Sequence, residues 1–162
     1  MLFIYHTTRD GIAAFNIPPE GWIQTRMVEM AGGNPVWTNG HPGGGWSKVN
    51  MEQIASWNPD QIYLVAYKEN VDKVLSTMYN STKWKELKAV KNKKLKAFPV
   101  DYYSWDQPDS RWILGLNWLA QQIHPELFRD LDIKEKAKSF FKDLYYLSDK
   151  QYKEEILSRL GW

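Results

Sequence analysis

The chain has 162 residues, 43% hydrophobic and 25% charged, which suits one globular unit with a sizeable core and argues against wholesale disorder. With 21 Lys and Arg against 19 Asp and Glu, the net charge of +2 is too small to imply a polyanionic partner, and nucleic acid is not expected. The absence of cysteine excludes disulfides, thiolate metal sites and cysteine nucleophiles. The outlier is aromatic content, 15% with nine Trp, a supply that serves either a large core or a ligand wall.

In chain order, Leu2 to His6 is a short apolar run that reads as a buried strand, followed by a polar loop through Gly11. Pro18-Pro19 opens a helix with Ile23, Met27, Met30 and Ala31 on one face, stopped by Gly32-Gly33. Residues 34 to 46 form a long glycine-rich loop with a brief strand at Val36-Trp37. Asn50 and Gln53 have capping spacing for a helix from Met51 to Trp57. The run Gln61 to Tyr67, QIYLVAY, is nearly continuous in apolar character, as in a strand buried on both faces of a parallel sheet. A helix from Val71 to Tyr79 and a third strand, Lys94 to Val100, come next.

A helix is then expected from about Pro108 to Ile123, capped by Asp106 or Gln107 and apolar nearly all round, hence central. Two capped helices, begun by Asp132 with Glu135 and by Ser148 with Gln151, finish the chain. Alternating strands and helices predict an α/β fold: a three-layer, Rossmann-like lobe whose mainly parallel central sheet is flanked by helices, with further helices at the carboxy terminus. The whole of 1–162 reads as a single α/β domain.

Ligands of open α/β sheets collect at the carboxyl ends of the strands. That rule selects Thr7 to Asp10, Trp46 to Lys48, and the loop DYYSWDQP, which sets three rings between Asp101 and Asp106. Arg9 suits a carboxylate or phosphate, while Trp46, Tyr102, Tyr103 and Trp105 offer flat walls; for each ring the alternative is core packing. Catalytic patterns are weak. GHPGGGWSK lacks the phosphate-loop order, and His6, His41 and His124 are far apart in sequence. Asp101 and Asp106 could form an acid/base couple, against a plain capping role for Asp106. Direct iron ligation would draw on Tyr102, Tyr103 and Asp106. The lysines between Lys83 and Lys96 read as a solvated face. No cofactor motif is recognised, and the opening MLFIYHTTRD lacks the basic segment of a signal peptide.

Four blocks, EMAGGNPVW (29 to 37), WSKVNMEQIASWNPDQIYLV (46 to 65), WKELKAVKNKKLKAFP (84 to 99) and YYSWDQPDSRWILGLNWLAQQIHPELF (102 to 128), carry a resemblance. In order and spacing the chain resembles the carboxy-terminal lobe of the class III substrate-binding proteins, which feed ABC importers of iron siderophores, haem, cobalamin and, in some members, oxyanions. The resemblance implies a two-lobed clamp on a stiff connecting helix, with an extracytoplasmic parent protein and no enzymatic step. Against that pattern the amino-terminal lobe, connecting helix, signal peptide and lipidated cysteine are missing, so an excised domain or truncated gene product is expected.

By position, Trp46 matches a cleft-facing aromatic, and Tyr102, Tyr103, Ser104 and Trp105 match a cleft-lining segment. Glu52 matches a glutamate that docks on arginines of the membrane permease; its bland reading is favourable placement in a first helical turn, worth about 0.3–1 kcal/mol. The implied cargo is a metal chelate or small anionic ligand, with molybdate-type oxyanions as the alternative. A stand-alone carbohydrate or protein-binding module, built on a flat platform of rings, is the rival from another class.

Overall fold

The structure is a computed structural model that describes residues 1–39, 43–160 and 162. Its centre is a five-stranded sheet in the order β3-β2-β1-β4-β5, formed by β1 (Leu2–Arg9), β2 (Ile12–Ile17), β3 (Ser47–Val49), β4 (Ile62–Val65) and β5 (Leu95–Ala97). On one side β1, β4 and β5 run parallel, with Leu2 opposite Ile62 and Ile62 opposite Leu95. On the other side β2 and β3 are antiparallel additions. The sheet flanked by helices is the expected α/β layer; parallel and antiparallel pairings share it evenly.

The antiparallel half comes from a hairpin where the sequence reading placed a loop. Thr7, Thr8 and Arg9 continue β1, and Asp10-Gly11 turns the chain so that Arg9 faces Ile12. Both turn residues have positive φ, 52° and 75°, as a two-residue turn of the type favoured by Asp-Gly demands. Polar residues at the end of β1 are tolerated because the strand there extends past Val65, the last residue of β4 paired to it.

The helices α1 (Ile23–Met30), α2 (Met51–Trp57), α3 (Val71–Asn80), α4 (Thr82–Lys85), α5 (Lys88–Lys91), α6 (Trp112–Ile123) and α7 (Ile133–Tyr145) pack around this sheet. A carboxy-terminal helical stretch, α8 (Asp149–Gln151), a π-helical segment (Tyr152–Leu157) and α9 (Ser158–Leu160), follows. Each residue of β4 is buried, as its unbroken apolar run requires. On one sheet face Trp118 of α6 meets Tyr63 edge-on at 5.5 Å and Phe98 at 5.0 Å. On the other, Phe15 of β2 meets Trp84 of α4 at 4.8 Å. Gly115 lets α6 press against its neighbours, since a Cβ there would lie 2.3 Å from the Trp105 carbonyl.

The expected caps at Asn50, Asp132 and Ser148 are present, each accepting from the predicted backbone amide. Two further expectations fail. Val36-Trp37 is a turn whose indole is fully buried and donates to the Pro18 carbonyl at 2.8 Å. Helix α6 starts at Trp112, not Pro108, because Asp109 accepts from the Arg111 amide at 2.7 Å and holds the preceding residues in a separate turn.

That turn is anchored by a buried ion pair. Arg111 Nε donates to both oxygens of Asp101 at 3.0 Å, and its guanidinium lies over the rings of Tyr103, Phe141 and Tyr145. Asp101 also accepts from the Tyr103 amide at 2.9 Å and from the Trp105 indole at 3.1 Å, so its charge is fully paired. Replacing Arg111 with Ala strands a buried carboxylate. We expect a loss of about 3–5 kcal/mol in urea denaturation; a loss under about 1 kcal/mol would show that the pair does not anchor the loop.

Candidate functional site

Strands β1, β4 and β5 point their carboxyl ends the same way, and three connections meet there: the segment entering α1, the residues after β4, and the loop after β5. They enclose a recess of about 530 Å³ lined by Gly21, Trp22, Ile23, Gln24, Trp46, Tyr67, Gln107 and Pro108. Trp46 is its central ring, half-buried, with centroids 5.1 Å from Tyr5, 5.7 Å from Trp22 and 6.3 Å from Tyr67. The interplanar angles of 55°, 89° and 60° make these rings walls of a concave surface, not the coplanar platform of a flat sugar-binding face.

At one side of the recess α1 begins without a side-chain cap: Trp22 occupies the capping position and offers no oxygen. No side-chain oxygen of the capping residue meets the amides of the first turn, and the helix dipole favours an anionic oxygen at this end. No Lys or Arg is among the described residues that line the recess.

Beneath the rings lies Asp106, fully buried. Its Oδ2 accepts from Gln24 Nε2 at 3.1 Å, from Gln107 Nε2 at 3.3 Å and from the Tyr67 hydroxyl in a short contact. Its Oδ1 and the Gln24 Oε1 are buried without a hydrogen-bond partner. Burial pushes the Asp106 carboxyl up from its ordinary value, and the hydrogen bonds oppose this only in part. Burial and the facing carboxylate push the Tyr67 phenol up too, so it stays a donor. The acid positions Gln24 and Tyr67, and through them the recess floor.

The sequence-selected residues divide. Trp46 stands in the recess. Tyr102 and Tyr103 are exposed, but their partners are the carboxy-terminal helices and Arg111: Arg159 lies 4.0 Å above the Tyr102 ring, and Glu155 accepts from its hydroxyl. Ser104 and Trp105 are not ligand surfaces here. Trp105 is fully enclosed, bonded to Asp101 and packed edge-on against Trp162 at 5.4 Å, and Ser104 is buried beside it in the bridge to Val100. The Val100–Ser104 bridge and the Trp105 bond to Asp101 turn these two inward, where the core claims them.

Asp106 caps no helix; it is the buried hub just described, and α6 begins beyond it. Arg9 closes β1, and its side chain lies outside the described residues, as does His41. Glu52 is exposed in the first turn of α2. Trp22, Gln24 and Tyr67 escaped the sequence reading. Tyr67 was findable, two residues beyond the carboxyl end of the most apolar strand, whereas Trp22 and Gln24 precede or begin a helix and give no periodic signal.

Because the folded-state acidity of Asp106 is weakened, the unfolded chain releases this proton first as pH rises. The native state therefore loses stability from about pH 4 upward until the pH passes the folded value. Asp106→Asn is expected to lack this part of the pH slope in denaturation curves. Parallel profiles for the two proteins would show that Asp106 ionises as readily in the folded chain as in the unfolded one.

Comparison with known proteins places this geometry. A family profile described as periplasmic binding protein matches residues 11–102. The molybdate-binding protein MolA of Haemophilus influenzae is 27% identical over 107 residues, 65% of this chain and 30% of that protein. Among solved structures, a periplasmic solute-binding protein of Veillonella parvula superposes with a TM-score of 0.73 at 24% identity, covering 99% of this chain and 48% of its own. Helicobacter pylori CeuE, solved with nickel, gives 0.71 at 19% identity, with 96% and 48% covered. These structural likenesses speak to the fold, and the chain spans about half the length of those solved structures. On the profile match, which takes in more than half of its residues, the chain belongs to the periplasmic binding protein family.

Proposed function

We propose that this chain is the carboxy-terminal ligand-binding lobe of a substrate-binding protein that serves an ABC importer outside the cytoplasm, and that its cargo is a metal chelate rich in anionic oxygens. The observation that carries the reading is the pairing of an aromatic recess around Trp46 with the uncapped start of α1. Rings match the apolar body of a large chelate, such as a ferric siderophore, haem or cobalamin, and amides match an anionic oxygen on it. Trp46 is the principal contact, while Tyr102 and Tyr103, engaged by Arg159 and Arg111, stand outside the recess lining. A second lobe would close over the recess and supply the other half of the buried surface. The role is binding and release with no bond made or broken, in keeping with the family.

A bare oxyanion is the second reading. It is favoured by the likeness to MolA, whose structure holds molybdate, and by the same α1 amides. Against it stand the surrounding rings, which a small, strongly hydrated dianion would have to desolvate without a lining Lys or Arg among the described residues.

Glu52 is proposed as the contact to the permease. It projects from a helix pinned by the Asn50 side chain, which accepts from the Gln53 amide at 2.8 Å, so its carboxylate is held out for an arginine.

Calorimetry should show a ferric siderophore or cobalamin binding this chain more tightly than molybdate. Trp46→Ala should weaken the chelate by about tenfold or more, the scale of losing one aromatic wall. Tighter binding of molybdate, unaffected by Trp46→Ala, would reverse the order of the two readings. In a two-lobed protein, Glu52→Ala should lower uptake and leave ligand affinity unchanged; a matching loss of affinity would refute docking.

A further inference from the structure

On the sheet face opposite Trp46 lies a larger cavity, about 630 Å³, that the proposed function does not use. It is a trench between β1 and β2 on one side and α3 with α4 on the other. Phe15, Val74, Met78 and Trp84 make its apolar walls, while Thr8, Glu69, Lys73 and Thr77 stand on its rim.

At its inner end is His6, whose side chain is 8% exposed. The imidazole packs against Phe15 at 5.3 Å, which in turn packs against Trp84. Its Nδ1 lies 3.2 Å from Glu69 Oε1, yet the two are not aligned as a hydrogen bond, and Nδ1 has no hydrogen-bond partner. The other carboxylate oxygen of Glu69 accepts from the Thr8 hydroxyl at 3.1 Å. A buried, unpartnered ring nitrogen beside a carboxylate is costly unless a donor reaches it. Glu69, the more exposed of the two, is the group that an ammonium in the trench can reach.

Lys73 stands on the same rim four residues further on, and no ion pair joins it to Glu69 among the described residues. The trench therefore offers a carboxylate for a cation, a separate ammonium for an anion, and apolar walls between.

We propose that this trench is a second binding site, which takes small zwitterions with an apolar body: apolar amino acids or dipeptides. The ligand ammonium pairs with Glu69, its carboxylate pairs with Lys73, and its side chain lies along the apolar wall that Phe15, Val74 and Met78 form. Strand β1 separates the two sites, since successive side chains point to opposite faces: Tyr5 goes to the Trp46 recess and His6 to the trench. The proposal stands whether or not the recess binds a chelate.

The test uses this chain with L-phenylalanine and L-leucyl-L-phenylalanine as probes, followed by calorimetry and by amide shifts in two-dimensional NMR. Saturable binding is expected, with shifts concentrated in residues 69–84 and in 6–15. Phenylethylamine and phenylpropionate, each lacking one charge, should bind about tenfold or more weakly, as should the Glu69→Gln chain. Thr77→Phe, at an exposed position, should fill the trench and abolish the shifts while the spectrum stays folded. No saturable binding of either probe, equal binding of the singly charged analogues, or shifts centred on Trp22, Trp46 and Tyr67 would each overturn the proposal.

Discussion

The candidate recess depends on one buried ion pair. Asp101 leaves β5 and is met by Arg111 at the entrance to α6, and everything between them is shaped by that contact. With its ends pinned, the loop must place Trp105 and Asp106 inside and Tyr102 and Tyr103 outside. A charged pair in such a place is a poor source of net stability, because desolvation offsets most of its attraction. Its value is conformational: five donors on one side and two oxygens on the other admit few arrangements. The rings of Tyr103, Phe141 and Tyr145 around the guanidinium extend the same constraint to α7.

From this anchor the site is built in two layers. The lower is polar and closed: Asp106 with Gln24, Gln107 and Tyr67, three connections tied through one carboxyl group. The upper is aromatic and open, with Trp46 leaning on Tyr5, Trp22 and Tyr67. Tyr67 belongs to both layers, its hydroxyl below and its ring above. A fixed floor limits what the rings lose on binding, since side chains already held in place have little rotamer freedom to surrender. The same strand that supplies Tyr5 to this wall sends His6 to the opposite face, so the sheet divides two cavities with different chemistry.

Local signals served well where local physics governs. The caps at Asn50, Asp132 and Ser148 answer to a single backbone amide a few residues away, and the burial of β4 answers to its own apolar run. The hairpin at Asp10-Gly11 was equally local, and the two-residue signal was present; polar neighbours at the end of β1 hid it, since alternation there is weak. The resemblance blocks led to the family, and Trp46 fell in the recess.

What the sequence by itself determined is therefore most of the element set, most helix starts and the carboxyl end of the parallel strands, where the recess lies. Which rings face that end was decided only by tertiary structure. Trp105 and Trp46 have the same side chain in similar loops, but one has a buried acceptor and an indole to pack against, and the other has solvent on one face. Asp106 shows the same limit: a carboxylate before a helix satisfies the rules for a cap, and only the arrival of Gln24 and Tyr67 from distant segments makes it a buried hub. Such outcomes depend on contacts between residues far apart in the chain, for which no periodicity or spacing in one segment carries the information.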